Sequence, residues 1–269
     1  MIAALQLYGH MMVMSVKGQM QYRLSFFFLT LASFVTTIIE LVGIWALFDR
    51  FGSLGQWQLY HVCFFYGIVN AGFAVSDALT TGFDQMGTLY IKNGQFDRLL
   101  LRPRSIALQL FGHELALRRA GRLLQAVLVL IWSGFQLQGS FHPLAPLILL
   151  FAVTGVICLF VGLFILQATL SFWTVESLEV MNTVTYGGVE TAQYPLAIYN
   201  RALQWFFIWI VPLGCVAYFP VVAALNLTDP LGTPWLFQAL APSAGVIFLA
   251  LSLLIFNRAG IRHYTSTGS

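Results

Sequence analysis

Ile91-Lys92-Asn93-Gly94-Gln95-Phe96-Asp97-Arg98-Leu99-Leu100-Leu101-Arg102-Pro103-Arg104 carries four of the chain's thirteen basic residues and lies between long apolar runs. Phe96, Leu99 and Leu100 stand at i, i+3 and i+4, which makes one apolar face of a short helix. Gly94 loosens the start of that helix and Pro103 ends it. Lys92, Arg98, Arg102 and Arg104 surround the face. A basic amphipathic segment of this kind lies on the lipid surface, docks into a partner, or serves only as a positively charged topogenic loop.

The flanking runs decide the class. The chain has 269 residues, of which 59% are hydrophobic and 9% charged, against about 25% charged in soluble domains. This is the composition of an all-α integral membrane protein, and the abundant Phe and Trp suit lipid-facing and interfacial positions. A formal net charge of +3 is too small to indicate nucleic acid. Cys63, Cys158 and Cys215 lie inside apolar runs without CxxC spacing, so they read as buried small residues and not as a disulfide framework or metal site.

Six spans are expected, with both termini cytoplasmic. Residues 1–23 read as an interfacial helix and not as a signal peptide, because the apolar run after Arg23 is too long for one and no cleavage site follows. Spans are expected over 24–48, 59–83, 123–137, 144–170, 202–226 and 235–256. The segment 84–104 is a cytoplasmic loop, and 105–122 is an interfacial helix. Residues 171–200 are more polar but keep Trp173, Tyr186, Tyr194 and Tyr199, which reads as interfacial chemistry and not a span. Pro212 and Pro220 interrupt the next run, so 212–235 is expected to be an outer re-entrant region and loop.

Orientation follows from charge. Lys17, Arg23, Lys92, Arg98, Arg102, Arg104, Arg118, Arg119, Arg122, Arg201, Arg258 and Arg262 fall on one side of this arrangement, and Arg50 alone on the other. The basic side is the cytoplasmic one. No GxxxxGK[ST], HExxH or GxSxG is present, so the chain does not cradle a nucleotide phosphate by itself or carry a hydrolase motif. The five histidines are scattered over span ends and loops and read as interfacial or packing residues. Two acids lie in or near spans. Glu40 is either a pathway residue or a group close to the outer interface, and Asp77 is expected to pair or cap near the inner one.

Three blocks together resemble the membrane subunits of type-2 ABC exporters, in the bacterial six-span permease branch. They are Tyr22-Arg23; Ile91, Gly94, Phe96, Asp97, Leu100, Leu101, Arg102 and Pro103; and Phe172-Trp173 with Glu176 and Asn182, followed by Gln193-Tyr194-Pro195-Leu196, Ile198-Tyr199, Pro212 and Tyr218-Phe219-Pro220. The resemblance implies a permease of the bacterial inner membrane that pairs with a second copy or a related permease. It would dock on a separate cytoplasmic ATPase, so ATP and Mg belong to that partner and no cofactor to this chain. Gly94–Pro103 would be the coupling element, with Phe96, Leu99 and Leu100 as anchors in an apolar cleft and Arg98 and Arg102 paired with acids around it. Gln193, Pro195 and Tyr199 would make a second contact or an elbow, and Glu40, Pro212 and Pro220 would belong to the pathway. The residues alone also allow a membrane scaffold or lipid scramblase whose basic loop holds anionic lipid, or a proton-coupled carrier.

Overall fold

The computed structural model describes residues 2–174 and 179–265, and the described residues form helices without a sheet. α1 (Ile2–Met20) leads into α2 (Arg23–Phe51) and α3 (Leu59–Leu79). Three short helices follow: α4 (Thr81–Asp84), α5 (Phe96–Leu100) and α6 (Ile106–Phe111). Next come α7 (Ala120–Gln136), α8 (Ala145–Thr174), α9 (Glu179–Ala192) and α10 (Arg201–Trp209). The chain closes on α11 (Phe219–Ala224), α12 (Trp235–Leu240), α13 (Ser243–Ile255) and α14 (Ile261–His263).

Four described stretches are long and apolar enough to cross a bilayer: α2, α3, α8 and the run Ser243–His263. At 1.5 Å per residue α7 is only about 25 Å long, and the turn Leu117–Arg119 extends it. α3 is the central helix. Its apolar window is 83% buried, against 11% for α2, so α2 keeps most of its surface for lipid or another chain. Phe65, Tyr66 and Phe73 are fully enclosed on α3.

Contacts between loops sort the helix ends. Gln56 Nε2 donates to Thr228 O at 3.0 Å and His142 N to Ala224 O at 2.8 Å, which gathers three loops at one end. At the other end Phe96 meets Phe172 and Tyr264, and Trp173 stacks on His263. The basic residues collect at this second end, while Arg50 lies with the first group of loops.

The polar segment after α8 is not the interfacial stretch expected for 171–200. α9 packs lengthwise on α8: Asn182 lies beside Gln167, Tyr186 beside Phe164, and Gly188 beside Phe160. Farther along α8, Ile148 clusters with Ala223 and Ala224 of α11. α9 and α11 therefore share one flank of α8 as a discontinuous fifth span, and residues 193–213 with α10 project sideways between them. Hydropathy conceals α9 because its polar groups are satisfied within the helix. Thr185 Oγ1 donates to Met181 O at 2.7 Å and Thr191 Oγ1 to Gly187 O at 2.8 Å. Arg201, expected with the cytoplasmic basic set, opens α10 and is carried away from the basic end by α9.

The final span is shifted along the chain from the expected 235–256 to Ser243–His263. It starts at Ser243 and not at Trp235, because Pro242 cannot continue α12. Its first turn lies against α8 backbone to backbone: a Cβ placed on Gly245 would come within 2.2 Å of Gly155 O.

Candidate functional site

Two arrangements concentrate the chemistry-bearing side chains: a short helix at the basic end, and a charged cleft above it.

The short helix is α5. Gly94 precedes it at φ +65°, a left-handed turn that side chains rarely adopt. Phe96 is fully buried within the chain, its ring 4.6 Å from Tyr264 and 5.2 Å from Phe172 between centroids. Leu99 is also buried, and Gln109 Nε2 fastens the turn by donating to Leu99 O at 3.1 Å and Arg104 O at 3.2 Å. This corrects the anchor assignment. Phe96 seats the helix on its own bundle, where it touches the end of α8 and the segment after α14, and Leu99 is buried as well, so neither side chain is presented to a partner. The outward apolar pair is Leu100, 45% exposed, and Leu101, 85% exposed. Arg98, Arg102, Pro103 and Arg104 are exposed around that pair, and Asp97 is half-buried.

The seat of α5 is tied to its surroundings. Gly82 of α4 lies so close to Leu110 O of α6 that any side chain there would displace the backbone. Burial pushes the Tyr90 phenol above its ordinary range, so it remains a hydrogen-bond partner for His113 Nδ1 at 2.9 Å. α1 grips the following loop through two side chains one turn apart. Gln19 Nε2 donates to Leu115 O at 2.5 Å, Leu115 N donates to Ser15 Oγ at 2.9 Å, and Leu117 N donates to Gln19 Oε1 at 3.2 Å.

The charged cleft lies between α2, α3 and the start of α7. Arg119 Nε meets Asp77 Oδ2 at 2.7 Å, the expected pairing of that acid. Arg122 Nη2 meets Glu40 Oε1 at 3.4 Å, and its guanidinium lies 5.0 Å from the Phe73 ring centroid. The Tyr66 hydroxyl donates to Thr37 O at 2.9 Å and touches Glu40 Oε2 at 3.4 Å. Glu40 is thus no outer-interface group: it faces the basic half of the molecule. Gly121 makes this possible, since its Cα packs directly on Thr30 O of α2.

Gln193, Pro195 and Tyr199 do not join α5. Gln193 and Pro195 are buried, and the Tyr199 hydroxyl donates to Thr191 O at 3.0 Å at the far end of α9. Their position sets them apart from α5 and the basic end, at the elbow between α9 and α10. Glu176 lies outside the described residues.

The chain matches the profile of a family described as ABC-2 family transporter protein over residues 34–268. The chain belongs to the ABC-2 transporter family. It is a type-2 ABC transporter permease subunit, a multi-pass membrane protein. Among curated proteins and solved structures no significant match is found.

In this permease the two prolines do different work. The axis turns by 81° between α10 and the Gly214–Ala224 helix, across Pro212. Pro220 breaks nothing, contrary to expectation. It follows the π stretch Gly214–Tyr218 in α11, where the widened turn absorbs its missing N–H. Pro212→Ala is expected to populate a straighter form, lengthening the distance between spin labels at positions 203 and 226 by about 7 Å from helix rise alone. Pro220→Ala should leave that distance unchanged. Pulsed electron resonance on the purified permease measures both.

The sequence carries little sign of several residues that matter here. Leu101 falls outside the i, i+3, i+4 set, and Phe172 and Tyr264 lie far from α5 in the chain. Tyr66 looks like one more aromatic in an apolar span. The signal for α9 was the run of Thr and Gly residues from Thr183 to Thr191, small groups that admit close helix packing.

Proposed function

We propose that this permease is half of an ATP-driven exporter of the bacterial inner membrane, and that α5 is where a separate cytoplasmic ATPase acts on it. The reading rests on one observation. α5 turns Leu100 and Leu101 outward inside a ring of arginines, while its inner face is keyed into the ends of α8 and the final span. An apolar pair with a charged rim is the make-up of a small docking hot spot. A push on it reaches two spans through Phe172 and Tyr264 without crossing a flexible linker.

These residues hold no phosphate-cradling loop, so the proposed ATPase lies outside them. ATP and Mg are bound there. The second half of the pathway is another copy or a related permease, set against the exposed face of α2. ATP-driven closure of the two ATPases tilts the spans and opens the pathway outward. With the basic end cytoplasmic, Gly94 faces the ATPase and Ser53 and Thr233 face outward.

Cysteine labelling tests the placement. In intact cells an impermeant maleimide is expected to modify Ser53→Cys and Thr233→Cys but not Gly94→Cys, which reacts only after permeabilisation. Modification of Gly94→Cys in intact cells would reverse the orientation and remove α5 from reach of any ATPase.

A further inference from the structure

Two cavities in the basic half of the permease share a wall. The first, of 210 Å³, lies at the elbow between α1 and α2 and is bounded by Gln19, Tyr22, Glu114 and Arg118. The second, of 390 Å³, lies deeper and reaches Glu40, Arg122 and Tyr186. Leu29 and Arg118 line both, so the cavities adjoin and follow one another as a track along α2.

α2 presents a distinct face to this track. Ser25, Leu29, Ser33, Thr36 and Glu40 follow one another at helical spacing, and all but Leu29 are polar. Away from it, Phe27, Phe28, Leu31 and Val35 are exposed and apolar. From Ser25 to Glu40 the face covers roughly 22 Å at 1.5 Å per residue, most of a hydrocarbon core of about 30 Å. A partly polar groove of such a length suits a head group whose attached chain stays in the bilayer.

The charges along the track come as two opposed couples. Glu114 and Arg118 line the outer cavity, and neither has an ion pair among the described residues. Glu40 and Arg122 close the deep end at a loose 3.4 Å, and Arg122 Nε is buried without a hydrogen-bond partner. Arg119 is not available, being held by Asp77. A purely anionic or purely cationic head would leave one member of each couple opposed by like charge. A head carrying both signs matches either couple, one at a time.

We propose that the track binds a zwitterionic amphiphile, its anionic group on Arg118 and its cationic group on Glu114 at the mouth, with Arg122 and Glu40 repeating that pairing at depth. This names a cargo class for the permease reading and rests on that reading. The binding itself can be measured on the full-length chain without any ATPase.

Ser33→Cys places a reporter on the track, and its maleimide labelling is followed in maltoside micelles with the labelling of wild-type cysteines subtracted. Dodecylphosphocholine is expected to protect it. Dodecyl phosphate, lacking the cation, and dodecyltrimethylammonium, lacking the anion, should each need about tenfold more for the one lost charge contact. Glycerophosphocholine, the head without a chain, should not protect. Arg118→Gln should abolish the preference over dodecyltrimethylammonium, and Glu114→Gln the preference over dodecyl phosphate. Equal protection by all three amphiphiles would reduce the track to an apolar groove, and protection by glycerophosphocholine alone would make the ligand a soluble zwitterion. Either result, or indifference to both variants, overturns the proposal. Such a failure leaves the permease reading standing, because that reading is tested by ATPase association and topology.

Discussion

Replacing Leu100 and Leu101 together by Asp is expected to abolish ATPase docking while leaving the permease folded. Fully burying a leucine contributes about 1.5–3 kcal/mol, so losing two such contacts weakens association by about 100-fold or more. Carboxylates in a desolvated cleft would weaken it further. The fold should not notice, because both side chains are exposed in the permease by itself. Phe96→Ala is expected to behave in the opposite way. It removes a fully buried ring from between Phe172 and Tyr264, and such cavities cost about 3–5 kcal/mol. Its damage should appear as lower yield and melting temperature of the isolated permease. Co-purification with the ATPase and thermal unfolding of the permease alone separate the two. Should the Leu100/Leu101 variant still bind its ATPase with unchanged affinity, α5 is not the docking element.

The contrast between these variants shows what could be read from the chain alone. That a short amphipathic helix follows the second span was legible, because charge density and spacing are local properties. Which apolar side chains it turns outward was not. Phe96 finds its partners in Phe172 and Tyr264, contributed by the ends of two distant helices, and no local pattern encodes that meeting. The course of the fifth span was missed for a similar reason. Hydropathy weighs composition, and α9 lowers the polarity of its threonines by bonding them to its own carbonyls. Pro212 was recognisable as a break, but Pro220 was not recognisable as harmless, since that depends on the π register before it. The cleft was half legible: an acid within a span signals function or pairing, but its guanidinium partner comes from another helix.

Arg122→Gln is expected to destabilise the permease by about 2 kcal/mol, below the roughly 3–5 kcal/mol for fully buried pairs, because the Glu40 side chain retains 24% exposure and the Arg122 side chain 14%. The loss comes from leaving the Glu40 carboxylate without its cation. Glu40→Gln should cost less, since the amide keeps its shape and its contact with the Tyr66 hydroxyl, and Arg122 still lies over Phe73. The double variant should recover most of the Arg122→Gln loss, because two neutral amides can bond to each other where a lone carboxylate could not. A double-mutant cycle on thermal unfolding in detergent measures this coupling. Simple addition of the two single effects would show that the ion pair contributes nothing to the fold. The same variants address the energy source. An exporter driven by ATP needs no proton relay, so Glu40→Gln should lower transport modestly and introduce no pH dependence across the neutral range. If transport instead disappears and its pH profile shifts, Glu40 carries protons and the permease is not powered through α5 alone.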